Sequence, residues 1–179
     1  MSSIIKVNTF QDANGNALFS SDGSGNVTGN NLLKPAFEAY LSSNQLITAG
    51  ADTKIQFNIE IFDTNSAYDN STNYRFTVPS GQGGKYNIYC ALDLDTTVYD
   101  LQVGVVYIFK NGSRYSDAKY RSHSTNLIDR ITFGQNRILD LSAGDYIEIY
   151  ANISTSASQP QISADTKNSF FGAYKLIGA

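Results

Sequence analysis

From about residue 34 to the carboxyl end, apolar and polar side chains alternate in a series of short runs. A period of two is the pattern of half-buried β-strands, because successive side chains of a strand point to opposite faces. Turn residues separate the runs, as at Asn65-Ser66 and Asn111-Gly112. The apolar positions are Phe37, Ala39 and Leu41; Ile55, Phe57, Ile59 and Ile61; Tyr86, Ile88, Cys90, Leu92 and Leu94; Ile147, Ile149, Ala151 and Ile153; and Phe171 and Ala173.

These runs, with no convincing helical stretch among them, predict an all-β protein. An antiparallel jelly-roll β-sandwich is the architecture that best fits many short strands joined by regular turns. The run 101–109 differs from the others because it is apolar on nearly both faces, with Val103, Val105 and Tyr107 on one side and Val106 and Ile108 on the other. Such a strand is expected to be covered twice, by its own sandwich and by a neighbouring subunit.

Composition limits the function. The chain has 179 residues, 41% of them hydrophobic and 16% charged, with a formal net charge of −3. This length and hydrophobic content predict one substantial core and one main domain. The acidic balance argues against nucleic-acid binding, and no apolar run approaches the roughly 18 residues that cross a bilayer. We therefore expect neither a nucleic-acid partner nor membrane insertion.

The inventory of reactive side chains is small. Cys90 is the only cysteine, so the chain has no internal disulfide framework, and its thiol is expected to pack as a small hydrophobe. His123 is the only histidine, which excludes a metal cluster of several histidines. Glutamates such as Glu38 and Glu148 are scarce in the chain. A carbohydrate-active jelly-roll enzyme needs paired carboxylates in a cleft, so this scarcity argues against that class of enzyme. We expect a protein that is not an enzyme and has no cofactor.

Residues 1–33 differ in texture from residues 34–179, and we treat them as an amino-terminal arm and a jelly-roll domain. The arm has two turn clusters, one beginning at Asp12 and one around Asp22, with the apolar group 17–19 between them. Both clusters are similar to the opening of a calcium loop, but each lacks the glycine at the sixth position and the glutamate at the twelfth. They are expected to be turns. A segment this small cannot build a core of its own.

Short motifs occur in a fixed order along the predicted sandwich. They are Phe57-Asn58; Tyr68-Asp69; Phe76 with Pro79; Gly84 with Tyr86; Lys110-Asn111-Gly112; Leu141 with Gly144-Asp145; and the aromatic run 170–174. In this order they resemble the globular head domain of complement C1q and its tumour necrosis factor-like relatives, from Phe37 almost to the end of the chain. The resemblance implies a domain that binds and does not catalyse.

The resemblance also implies a homotrimer that associates through apolar and aromatic faces. Tyr89, Tyr150 and Tyr174 are the residues we assign to the threefold axis, and Val105 and Tyr107 complete the predicted interface. Two departures are visible: residues 80–83 lengthen the loop before Gly84, and no collagen-like tract precedes the domain. Complement function itself is therefore not implied.

The arm resembles the amino-terminal ends of tail-fibre and virion-surface proteins of bacteriophages. The leading hypothesis is accordingly a structural protein on the virion surface: a trimeric fibre tip, knob or capsid decoration, which residues 1–33 attach to other virion proteins. The alternative is a cellular C1q-like lectin or signalling ligand, which a signal peptide or an upstream collagen tract would favour. The arm begins without the basic segment and long apolar stretch of a classical signal peptide.

Two polar regions are candidate binding sites. Asp93, Asp95 and Asp100 surround a loop where calcium could bind, although an ordinary solvated acidic loop is the favoured interpretation. The segment 110–137 holds six basic residues in an acidic protein. Its basic strip could grip phosphate or carboxylate groups of a host surface polysaccharide or receptor, the alternative being a solvated outer strand. The basic strip comprises Arg114, Tyr115, Lys119, Tyr120, Arg121 and His123.

Overall fold

The computed structural model describes residues 7–28, 34–123, 127–156 and 159–176. The chain divides into two compact units, Met1–Lys34 and Pro35–Ala179. Apart from one 3₁₀ turn at Asp165–Lys167, the regular elements of the described residues are strands. None of the described residues forms a helix long and apolar enough to cross a membrane.

The strands are numbered in chain order. They are β1 (Thr9–Gln11), β2 (Ala17–Ser21), β3 (Val27–Thr28), β4 (Ala36–Tyr40), β5 (Gln45–Leu46), β6 (Thr53–Lys54), β7 (Ile59–Asp63), β8 (Tyr68–Asp69), β9 (Arg75–Thr77), β10 (Gly84–Asp95), β11 (Val103–Lys110), β12 (Ser113–Arg121), β13 (Arg130–Leu141), β14 (Tyr146–Ser154), β15 (Gln161–Ile162) and β16 (Phe170–Lys175).

The second unit is a sandwich of two antiparallel sheets. In sheet 1 the order is β5-β15-β10-β16-β4-β7, and β13 pairs along the whole other edge of β10. In sheet 2 the order is β12-β11-β14-β9-β8, with β6 also paired to β14. Neighbours such as β4 and β16 are far apart in sequence, which is the crossover connectivity of a jelly roll. The predicted all-β antiparallel jelly roll is confirmed.

An aromatic cluster fills the core between the sheets. The Phe37 ring stacks on Tyr68 with centroids 4.5 Å apart and lies 5.3 Å from Phe76. Phe171 meets the same ring edge-on at 4.9 Å. The Tyr68 hydroxyl donates a 2.9 Å hydrogen bond to the Phe57 carbonyl, so its one polar group is satisfied inside the core. The predicted role of Phe76 and Tyr86 in filling the sandwich is confirmed, since both are fully buried.

Two of the sequence motifs meet at one end of sheet 2. The Asn111 side chain donates a 2.8 Å hydrogen bond to Asp145 and accepts one of 2.9 Å from the Tyr146 amide, while Lys110 lies 3.0 Å from the Asp145 carboxylate. These contacts hold the pKa of Asp145 down to about 2, the hydrogen bond from Asn111 contributing most. Gly112 adopts φ +76°, as its place in a tight hairpin requires.

Two local expectations are corrected. The alternation at residues 55–61 predicted one half-buried strand, but only Ile55 and Phe57 are buried, and Ile59 and Ile61 in β7 are exposed. The cause is that β7 forms the edge of sheet 1 and pairs with β4 through an irregular register. Strand β13 was not predicted, because Gln135 stands at a core-facing position; there its side-chain amide bonds the Val106 carbonyl at 2.7 Å.

The first unit is described from residue 7 to residue 28. It contains a separate three-stranded sheet in the order β1-β2-β3. The Asp12 carboxylate accepts hydrogen bonds from the backbone amides of Asn14 and Asn16, and Asp22 does the same for Ser24 and Asn26. Both clusters are therefore turns held by an aspartate side chain, as predicted.

Candidate functional site

The outer face of sheet 1 carries an aromatic surface where β4, β16 and β10 lie side by side. We call Tyr40, Tyr89, Phe170 and Tyr174 the tyrosine face. In each strand these residues alternate with the residues that point into the core. Their side chains therefore all lie on the outer face of the sheet. The Tyr89 ring centroid lies 6.2 Å from that of Phe170 and 6.2 Å from that of Tyr174.

A glycine allows Tyr89 to lie against the sheet. Gly172 is directly opposite Tyr89 in the register of β10 and β16, and a Cβ at Gly172 would stand 2.3 Å from the Tyr89 ring. The Tyr89 hydroxyl donates a 2.9 Å hydrogen bond to the Glu38 carboxylate. Burial, followed by this bond, raises the pKa of Tyr89, so the phenol stays neutral at physiological pH. The face thus has fixed aromatic side chains, and one oxygen of its carboxylate accepts a hydrogen bond from Tyr89.

The five predicted interface residues fall on two surfaces. Tyr89 and Tyr174 lie on the tyrosine face, whereas Val105, Tyr107 and Tyr150 lie on the outer face of sheet 2, where Tyr107 is opposite Tyr150. The protomer's own side chains largely cover this second surface. Val105 and Tyr107 are buried, and Arg114 stacks on the Tyr107 ring with its guanidinium carbon 4.6 Å from the centroid. The structure therefore does not bring the five together.

Sequence reasoning missed other residues of the first surface. Tyr40 and Phe170 pair across β4 and β16, and Ile138 and Tyr174 lie on either side of Asn87 in the register of β10. The sequence carried a signal for Tyr40 and Phe170, because each is aromatic at an outward position of a strand whose inward phase is apolar. It carried none for Ile138, because Gln135 interrupts the inward apolar phase of β13. Ile138 is 61% exposed and Tyr174 is 45% exposed.

The basic strip is only partly available to a ligand. Arg114 is paired with Asp52, its Nε donating a 2.9 Å hydrogen bond to the carboxylate. Tyr120 packs partly against the core. Tyr115 and His123 are exposed, as are Lys119 and Arg121, which lie two residues apart in the edge strand β12. Neither of these two cations has an ion pair among the described residues.

A shallow cleft lies at the end of the strip. Its volume is about 330 Å³, and Gln102, Val103, Arg121, Ser122 and Leu127 line it. The guanidinium of Arg121 is thus placed beside polar and apolar groups, an arrangement that can hold an anionic group of a larger ligand.

The three aspartates of the candidate calcium loop bond to protein groups. Asp93 accepts a 2.7 Å hydrogen bond from Arg130 Nε, and Asp95 accepts one of 2.8 Å from Gln161. Asp100 is hydrogen-bonded to Thr155. In the part of the chain that the structure describes, no group of three or more acidic, histidine or cysteine side chains is placed to hold a metal ion.

Cys90 lies in β10 with its side chain in the core. Burial raises the pKa of its thiol to about 12, so the thiol stays protonated at neutral pH. The expectation that Cys90 packs as a small hydrophobe is confirmed.

The sequence matches no protein-family model and no curated protein. The structure is similar to those of tumour necrosis factor-like and complement C1q-like globular domains. A structure of the tumour necrosis factor Eiger from S. frugiperda has a TM-score of 0.59 and 17% identity, covering 82% of this chain and 94% of that one. The globular domain of zebrafish complement 1qA protein has a TM-score of 0.54 and 14% identity, covering 80% and 98%.

Murine APRIL, in a crystal structure at pH 5.0, has a TM-score of 0.58 and 13% identity, covering 80% of this chain and 99% of that one. The chain therefore has the C1q-like and tumour necrosis factor-like jelly-roll fold that its motifs predicted. Identities this low carry the fold and no finer assignment. None of the three structures supports the resemblance of the arm to virion-surface proteins, which stays a prediction.

Proposed function

We propose that this protein is a homotrimeric, non-enzymatic binding module that assembles through the tyrosine face. The observation that carries the proposal is this aromatic surface on the outer side of sheet 1. Aromatic residues are enriched and charged residues are depleted at the centre of protein interfaces. The tyrosine face is aromatic in this way, and the Tyr89 hydroxyl donates a hydrogen bond to the carboxylate beside it, that of Glu38.

Geometry supports an interface at this surface. Gly172 lets the Tyr89 ring lie against β16, and the neighbouring rings hold it in place, so little side-chain entropy remains to be lost on association. Ile138 and Tyr174 extend the apolar surface on both sides of Asn87. A closed threefold arrangement buries the same surface on every copy.

The outward surface of the trimer supplies the binding function. We place the ligand contact at Lys119, Arg121 and the cleft beside them. These two side chains display positive charge on a protein that is acidic overall. A trimer presents this site three times, so weak contacts combine through avidity. Anionic polysaccharide is the ligand class that the charge favours.

The double change Lys119→Ser with Arg121→Ser should weaken binding to an anionic polysaccharide. Two charge-assisted hydrogen bonds of about 1 kcal/mol each correspond to roughly a thirtyfold change. Surface plasmon resonance on immobilised polysaccharide at low salt would measure it, and the parent's own binding should fall as salt rises, because the screening length shortens. The control Lys34→Ser with Lys85→Ser removes two positive charges outside β12. If both double variants weaken polysaccharide binding equally, the effect is a general loss of positive charge and contradicts a site at Lys119 and Arg121.

The setting we propose for the module is the virion surface, as a fibre tip, knob or capsid decoration that contacts the host or strengthens the particle. The support is the sequence of residues 1–33 alone. A cellular C1q-like ligand is the second candidate, and the observation that favours it is the likeness of the head to Eiger, complement 1qA and APRIL.

Removing residues 1–33 should leave a folded, trimeric head that no longer enters particles. The physical reason is that the first strand of the sandwich begins at Ala36, within the second compact unit. Circular dichroism and light scattering would report fold and mass, and immunoblots of purified virions would report incorporation. A truncated protein that is insoluble would show that the arm completes the head, and one that still enters particles would contradict its attachment role.

A further inference from the structure

The three-stranded sheet of the arm is asymmetric. In its register Phe10 is opposite Phe19, and Ser21 is opposite Val27, so Phe10, Phe19, Ser21 and Val27 share one face. Thr9 and Ser20 are paired on the other face, which also carries Leu18, 44% exposed. The Phe10 and Phe19 rings stack with centroids 4.4 Å apart. The aromatic side chains thus lie on one face, and we call it the arm face.

The apolar side chains of the arm face are well exposed to solvent. Phe10 is 44% exposed, Phe19 39% and Val27 55%, in a segment of very few residues. A sheet with an apolar face is stabilised when another layer covers that face, and chains below about 40 residues usually need oligomerisation, a metal or a disulfide to fold alone. The only cysteine lies in the other unit, and no metal-binding group is found among the described residues. Association of copies through the arm face would supply such a layer.

The described part of the arm carries few charged side chains. Among residues 7–28 the charged side chains are Asp12 and Asp22. Each lies in a turn, where it is held by hydrogen bonds from an asparagine four residues on: Asn16 Nδ2 donates to Asp12 at 2.8 Å, and Asn26 Nδ2 to Asp22 at 2.7 Å. These bonds lower the pKa of both carboxyl groups. Phe10, Phe19, Ser21 and Val27 are uncharged, so a contact between arm faces buries no carboxylate of these residues.

The head brings copies of the arm together. Residues 29–35 connect β3 to β4, and a connection of this length spans at most about 25 Å even when fully extended. Three arms attached to one trimer are therefore confined to a small volume, at an effective concentration in the millimolar range. No other partner is guaranteed to be present at that concentration.

We infer that the three arms of one trimer pack against each other through Phe10, Phe19 and Val27, forming a short stem with the arm faces inward. This inference rests on the proposed homotrimer of the head. The occupant of the arm face is then a second and a third copy of the same segment. The turns held by Asp12 and Asp22 lie at the ends of the strands, where the chain reverses direction.

Cysteine crosslinking of the full-length chain tests this arrangement. Ser21→Cys places a thiol on the arm face, and Ser20→Cys places one on the opposite face of the same strand. Cys90 does not interfere, because its thiol is buried and protonated. With a short bismaleimide, Ser21→Cys should give covalent dimers on a denaturing gel at a yield independent of protein concentration. Ser20→Cys should give much less.

A second variant removes the packing. Phe10→Ser with Phe19→Ser in the Ser21→Cys background should abolish the dimer band while light scattering still gives a trimeric head. Equal crosslinking at positions 20 and 21, no crosslinking at either, or a yield that rises with concentration would each overturn the stem if the mass is that of a trimer. A monomeric mass for the unchanged chain would overturn the homotrimer, and the stem with it.

Discussion

Phe37→Ala is expected to lower the free energy of unfolding by about 3–5 kcal/mol, the usual cost of truncating a buried phenylalanine. The Phe37 ring is fully buried and contacts three other aromatic rings, those of Tyr68, Phe76 and Phe171. These rings come from strands of both sheets, so the cavity would open at the junction of the two layers. Urea unfolding followed by circular dichroism, at one protein concentration for all variants, measures the loss.

The matched control is Tyr99→Ala. Tyr99 is 74% exposed in the loop between β10 and β11, so its truncation creates no cavity, and we expect a loss within about 0.5 kcal/mol. Similar losses for the two variants would show that the aromatic cluster does not hold the sheets together.

Tyr174→Asp with Ile138→Asp is expected to convert the trimer to a monomer. Both side chains are well exposed in the protomer, so the change leaves the core intact. In the trimer each protomer would bury two carboxylates without partners, and an uncompensated buried charge costs several kcal/mol. Light scattering should give a mass threefold lower than that of the parent, with the circular dichroism spectrum unchanged.

Tyr115→Asp with Val98→Asp is the control for that variant. It introduces the same two carboxylates at exposed positions of β12 and of the loop after β10, outside the tyrosine face. The control should keep the parent's mass. If it too becomes a monomer, added negative charge rather than the position of the charge separates the subunits.

The inward-facing residues of the sandwich were predictable where one phase of a strand is consistently apolar. β10 and β14 are examples: Tyr86, Ile88 and Leu92, like Ile147 and Ile149, are buried as their period of two predicts. The pattern failed where a polar side chain occupies a core position. Gln135 interrupts the apolar phase of β13, and its burial depends on a carbonyl in β11, which local sequence does not reveal.

The candidate interface was predictable only in part. Tyr89 and Tyr174 stand out because they are aromatic at outward positions of half-buried strands. Strand β11 is apolar in both phases, so its sequence does not tell a subunit interface from a surface covered by its own chain. The cover of Tyr107 is Arg114, which Asp52 holds in place from 62 residues away. Pairing over that sequence distance is decided by the fold and is invisible to periodicity.

Light scattering of the unchanged full-length chain, coupled to size-exclusion chromatography, tests the central claim most directly. If the tyrosine face joins three subunits, the mass is three times the 19.5 kDa of the protomer at micromolar concentration. A mass of one protomer under the same conditions would contradict the account.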